Sequence, residues 1–121
     1  GYEPHFVDSP AAAIERTGGY EDAIGFVLDT GSAAEYGYAG PDAARAYGDR
    51  LLNVHLKDVR ERGGHDCVAL GAGVVDVAGT LDALDDVGYD GPVTIEHEPF
   101  DRDPMPEVRE SYELVRDWQR D

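Results

Sequence analysis

Apolar residues fall along this chain in two rhythms. Three compact runs of strand length, Ile24-Gly25-Phe26-Val27-Leu28, Leu51-Leu52-Asn53-Val54-His55-Leu56 and Pro92-Val93-Thr94-Ile95-Glu96-His97, are separated by stretches with helical spacing. Tyr2-Glu3-Pro4-His5 reads as the end of a further strand whose beginning is missing. Ser9-Pro10 is a helix start, an N-cap hydroxyl followed by proline at the first helical position, and Gly18-Gly19 stops that helix near Thr17. Gly31 to Gly40 reads as a connection, and Pro41 opens a second helix that runs to about Gly48. Asp58 to Gly73 is a polar loop containing four glycines, long enough to suggest a function. Asp76 caps a helix from Val77 to Val87, which Gly88 terminates. Pro104 and Pro106 lead into a last helix ending near Arg120, with Val108, Tyr112, Val115 and Trp118 predicted to form its core face.

The resulting order, strand then helix four times over, predicts an α/β fold: a parallel sheet covered by helices. Four (β/α) units at uneven spacing are what half of an eight-stranded βα barrel would contain.

Composition adds two constraints. At 121 residues with 26 Asp+Glu against 10 Lys+Arg, the formal net charge is -16, and so acidic a surface repels nucleic acid and anionic membranes. No apolar run reaches the roughly 18–20 residues needed to span a bilayer. The single cysteine, Cys67, leaves no intramolecular disulfide and no CxxC metal site. Lys57 is the only lysine beside nine arginines, and sixteen of the acids are aspartates. That balance suits hydration in concentrated salt and predicts a halophilic, haloarchaeal, cytoplasmic protein.

The chemistry lies at the strand ends. Each predicted strand finishes in a group able to bind metal or move a proton: Glu3, Asp29, His55 and Glu96. In βα folds such groups gather at the carboxyl ends of the strands. Three carboxylates and one imidazole suit a hard to borderline divalent ion, Mn²⁺, Mg²⁺, Co²⁺ or Zn²⁺. Taken singly, Asp29-Thr30-Gly31 reads equally well as a turn, His55 as a hydrogen-bonded core residue, and Glu96 with Glu98 as a solvated edge. Their recurrence at the same end of every strand favours a site. Lys57, retained where the composition otherwise excludes lysine, stands next to the predicted metal histidine. Arg60 and Arg62 follow it, each able to bind a phosphate or carboxylate. Gly71-Ala72-Gly73 reads better as a glycine turn than as a phosphate cradle. His5, His65, His97 and Cys67 read as structural or surface residues.

Asp29-Thr30-Gly31-Ser32, Asn53-Val54-His55-Leu56-Lys57-Asp58, Leu70-Gly71-Ala72-Gly73-Val74-Val75-Asp76, and Gly88-Tyr89-Asp90-Gly91 with Thr94-Ile95-Glu96 together resemble the sugar phosphate isomerase/epimerase family of xylose-isomerase-like TIM barrels. They match, in order, its DTGH, HVHLKD, GxGxVD and GYDGxxxIE segments. The resemblance implies a partial barrel domain over residues 1–121, equivalent to strands 5–8. It implies metal ligands Glu3, Asp29, His55 and Glu96, with Glu3 and Glu96 also the catalytic acid/base pair. The implied reaction removes a proton next to a carbonyl of a sugar or polyol through an enediolate and returns it elsewhere. Lys57, and with it Arg60 and Ser32, would contact the substrate.

Two departures qualify this picture. Ser32 stands where the family has histidine, and the resemblance covers only the carboxyl-terminal half of the barrel. A fragment of a longer chain is favoured over two copies pairing as a homo-oligomer. Other readings are a lyase of the inosose-dehydratase type on the same site, an inactive barrel fragment, and, least favoured, a DNA-repair enzyme like endonuclease IV. That enzyme's DTCH histidine and further Asp-x-His pair have no match here.

Overall fold

The structure is a computed structural model that describes residues 9–120. The strand expected around Glu3, and His5 with it, lies outside the described residues. Ser9 opens helix α1 (Pro10–Arg16), its hydroxyl accepting the Ala12 N–H at 3.1 Å. Strand β1 (Phe26–Asp29) leads straight into α2 (Thr30–Tyr36), and α3 (Gly40–Tyr47) is followed by one 3-10 turn (Gly48–Arg50). Next come β2 (Leu51–Leu56), the short strands β3 (Asp58–Val59) and β4 (Cys67–Val68), and α4 (Val77–Asp86). Strand β5 (Val93–Ile95) and α5 (Met105–Arg120) complete the order.

β1, β2 and β5 form one parallel sheet in that spatial order, with Asp29 level with His55 and His55 level with Thr94. Neighbours in the sheet follow the order of the (β/α) units, so the fold is α/β and forms an arc of a TIM barrel. Strand pleating sends Phe26, Leu28, Val54 and Leu56 toward the helices, where all four are buried. Leu28, Val54 and Leu56 are each 1% exposed or less, and such burial stabilises by about 1.5–3 kcal/mol per side chain. Ala43, Ala44 and Tyr47 of α3 and Leu81, Ala83 and Leu84 of α4 supply the facing layer of the same core. The small alanines let these two helices approach each other and the sheet closely. Tyr47 stacks on Phe26 with ring centroids 4.3 Å apart, and the Arg50 guanidinium lies over the Phe26 ring, 4.4 Å from its centroid. The opposite face of the sheet carries Val27, Asp29, Asn53, His55 and Thr94, all half-buried or exposed.

Three sequence expectations are corrected. The segment read as a connection from Gly31 contains α2, because Asp29 caps its first turn and Gly37, at φ 85°, ends it in the left-handed region. The polar loop after Asp58 is partly a hairpin: β3 and β4 pair antiparallel, Asp58 opposite Val68 and Val59 opposite Cys67. On α5, Val115 and Trp118 do pack on the core, but Tyr112 is 57% exposed, and the small polar Ser111 takes the buried position. Ser111 sits there because its hydroxyl accepts the Leu70 N–H at 3.0 Å, satisfying a backbone group that an apolar side chain would leave unpaired.

Candidate metal centre

Parallel pairing of β1, β2 and β5 places their carboxyl ends side by side, and with them Asp29, His55 and Glu96. One ligand atom from each lies within 4.8 Å of the other two. The register aligns Asp29 with His55 directly. Glu96, one residue past β5, is held level by its N–H bond to the Leu56 carbonyl at 2.9 Å. Nδ1 of His55 lies 3.3 Å from Glu96 Oε2 and 4.0 Å from Asp29 Oδ2. Glu3, the fourth group expected here, lies outside the described residues.

Asp29 divides its two oxygens. Oδ1 accepts the Ser32 N–H at 2.9 Å and so caps α2, while Oδ2 faces His55. Turn former and site residue, weighed as alternatives from sequence, coexist in one carboxylate. Ser32 lines a cavity with Asp29 and His55.

The Glu96 carboxyl is pushed up to about 7: the hydrogen-bonded Glu98 carboxylate comes first, then burial, then Asp29, with Lys57 opposing. Its Oε2 is buried, and no donor reaches it with hydrogen-bond geometry. A buried acceptor oxygen without a donor, beside an imidazole nitrogen and a second carboxylate, is a donor set that fits a divalent cation.

Lys57 approaches the same cluster from the end of β2. The Thr30 hydroxyl accepts the Lys57 N–H at 2.8 Å and donates to the Lys57 carbonyl at 2.7 Å. The stem runs over Gly31, where an added Cβ would lie 2.8 Å from Lys57 Cδ. The ammonium then reaches Glu98, Nζ to Oε1 3.6 Å. Burial of the stem pulls the Lys57 ammonium down, and Cys67, Glu96, Glu98 and Asp29 together outweigh it and raise it. Glu98 itself is lowered, by its bond to Glu96 first and then by Lys57. Arg60 is not gathered into this group, since its guanidinium pairs with Asp66 at 2.8 Å within the hairpin. Sequence reasoning gave Glu98 no role of its own beyond a share, with Glu96, in the alternative reading of a solvated edge. The signal that could have found it is its place two residues beyond a predicted ligand, just past the strand end.

Two further groups hold the surroundings. Asp58, 1% exposed, accepts four backbone N–H bonds: Val59 and Val75 on Oδ1 at 2.9 and 3.0 Å, and Gly71 and Gly73 on Oδ2 at 2.9 and 3.1 Å. The Gly71-Ala72-Gly73 turn is thus wrapped around an internal carboxylate. His97, its side chain 3% exposed, meets Glu107 Oε1 at 3.3 Å, and Arg102 links Glu107 at 2.6 Å to the Cys67 carbonyl at 2.7 Å. This chain of contacts ties the end of β5 to α5 and to β4, in the structural role expected of His97. His65 is 79% exposed and Cys67 is buried, consistent with surface and structural roles.

The family described as the xylose isomerase-like TIM barrel matches residues 1–118, and the chain belongs to that family. Among solved structures, a D-tagatose 3-epimerase-like protein superimposes with a TM-score of 0.78 at 18% identity, over 99% of this chain and 44% of the other. D-allulose 3-epimerase from Methylomonas sp. in complex with D-allulose gives 0.63 at 26% identity, over 79% of this chain and 32% of the other. The IOLI protein with a bound zinc atom gives 0.70 at 21% identity, over 89% and 42%. The chain therefore spans less than half the length of these similar proteins. A comparison with curated proteins returned no match. Among the described residues, no helix is long and apolar enough to cross a membrane.

Proposed function

We propose that this chain is part of a divalent-metal-dependent isomerase or epimerase acting on a sugar, sugar phosphate or related polyol. The observation that carries the reading is the convergence of Asp29, His55 and Glu96 at three adjacent strand ends, with a buried Glu96 oxygen that has no partner in hydrogen-bond geometry. Similar folds that carry 3-epimerase names or a bound zinc atom support it. In this reading Asp29, His55 and Glu96, with Glu3, hold Mn²⁺, Mg²⁺, Co²⁺ or Zn²⁺. The bound ion supplies Lewis acidity toward a carbonyl oxygen. Glu3 and Glu96 exchange a proton with the carbon beside that carbonyl. In the metal-free protein the Glu98 carboxylate, burial and Asp29 push the Glu96 carboxyl up to about 7, so it holds a proton more readily than an ordinary carboxylate. Lys57 hydrogen-bonds a substrate oxygen, with Ser32 as a further contact. We read the chain as strands 5–8 of a barrel, since β1 and β5 are the edges of the described sheet and the similar proteins are more than twice as long.

The test is metal analysis and ketose turnover with the full barrel-containing protein. After dialysis against Mn²⁺, about one ion per chain is expected, together with interconversion of ketose epimers seen by NMR. His55→Ala should weaken metal binding more than hundredfold, because it removes the central ligand. Unchanged affinity in His55→Ala would sink the assigned site.

A further inference from the structure

Two features around Lys57 exceed what holding a metal requires. Its backbone is gripped on both sides by one hydroxyl, Thr30 Oγ1, and its stem lies against Gly31, where an added Cβ would displace it. A solvated lysine needs neither. The ammonium so delivered is then matched to Glu98 at 3.6 Å, in a pair still open to solvent, 24% and 48% exposed. An ammonium offers donors only and a carboxylate acceptors only, while a hydroxyl is both. Neighbouring hydroxyls on one ligand can therefore give a proton to Glu98 and accept one from Lys57.

Charge narrows the ligand further. Lys57 is neutralised by Glu98, Arg60 by Asp66 at 2.8 Å, and Arg102 by Glu107 and Asp101 at 2.6 and 2.8 Å. Arg62 lines a separate cavity with Tyr38 and Asp76. A phosphate arriving beside Lys57 would meet the Glu98 carboxylate, which is not among the metal ligands, before any of the paired cations was released, and a carboxylate so placed disfavours an anion.

We propose that Lys57 and Glu98 together form a hydroxyl-binding subsite beside the metal centre, one that selects a neutral polyhydroxylated ligand over its phosphate ester. This rests on the metal-dependent sugar reading above and specifies its substrate class.

The test uses the full barrel-containing protein loaded with Mg²⁺. The probes are D-allulose, D-tagatose and their 6-phosphates, with affinities from calorimetry. A second readout is the ¹³Cε resonance of labelled lysine, assigned to Lys57 by its loss in Lys57→Arg. At least one free ketose should bind about tenfold tighter than its phosphate and shift the Lys57 resonance. Glu98→Gln should weaken that ketose about tenfold, the loss of one charge-assisted hydrogen bond, and narrow the gap to the phosphate. Measured at pH 8, it should leave Mg²⁺ affinity within about twofold, and Glu98→Asp should recover part of the ketose affinity. Tighter binding of the phosphates by the wild type, or unchanged ketose affinity in Glu98→Gln, overturns the proposal. Mg²⁺ binding with no ketose bound overturns the subsite and leaves the metal centre standing. Failure to bind any divalent ion overturns the parent reading instead.

Discussion

Among the described carboxyl groups, Glu96 is the one pushed well above the usual carboxylate range. Glu98, burial and Asp29 push its carboxyl up to about 7, so the metal-free site holds a proton that a cation must expel. Above pH 7 the carboxylate is already ionised and pays no competition. Below pH 7 each unit should cost roughly tenfold in apparent metal affinity while one proton is displaced. Calorimetric Mn²⁺ affinities at pH 6 and pH 8 should therefore differ by about tenfold, with about one proton released per ion at the lower pH. Glu98→Gln removes the first cause of the shift and should move this transition to lower pH. A pH-independent affinity over that range would show that Glu96 does not bind the ion. Asp29 should behave differently, because one oxygen is committed to the Ser32 N–H. Asp29→Asn keeps an acceptor for that cap, so the folded protein should survive with under about 1 kcal/mol of loss while metal binding falls at least tenfold. Thermal melts beside metal titrations would separate the two roles.

Between β3 and α4 the chain is organised by a side chain. Asp58 supplies the acceptors for three N–H groups of the loop, Gly71, Gly73 and Val75, and for that of Val59 in β3. Asp58→Ala should destabilise the protein by about 3 kcal/mol or more, since several donors lose their partner at once. Gly73→Ala should be comparably harmful, because its Cβ would collide with the Val59 carbonyl and the Asp58 carboxylate. Urea titrations of both variants check this, and a loss below 1 kcal/mol in both would refute the role given to Asp58. The same loop shows how far sequence patterns reach. Helices with a cap and a stop, such as α1 and α4, were legible to within a residue or two. So was β2, whose apolar run is bounded by Arg50 and Lys57. The two-residue strands β3 and β4 carry no period, and α2 is short and begins at the last residue of a strand, where a glycine and a serine suggest a turn. At the site, Asp29, His55 and Glu96 were legible because parallel strands align their ends. Glu98 and Asp58 were not, because their roles depend on the Lys57 ammonium and on loop amides that only folding brings near.

For the whole molecule, the dominant quantity is a net charge of -16 carried with a single lysine. The ion pairs that relieve it are mostly exposed, such as Arg45 with Asp86 and Arg116 with Asp117, and pairs of that kind add little stability. Most of the self-repulsion must then be met by the solvent. Two regimes can be told apart. Screening shortens the Debye length from about 10 Å at 0.1 M to about 3 Å at 1 M, so a merely acidic protein gains stability with salt and then levels off near 1 M. A surface adapted to concentrated salt goes on gaining beyond that point, where screening is complete and hydration of the carboxylates is what remains to change. The scarcity of lysine, whose long apolar stem is poorly suited to such a surface, and the excess of short aspartates favour the second regime. Tm measured in KCl should therefore rise steeply to 1 M and continue upward to 3 M. A plateau at 1 M would leave the composition as ordinary acidity, and would remove the basis for reading the survival of Lys57 as selection against every other lysine.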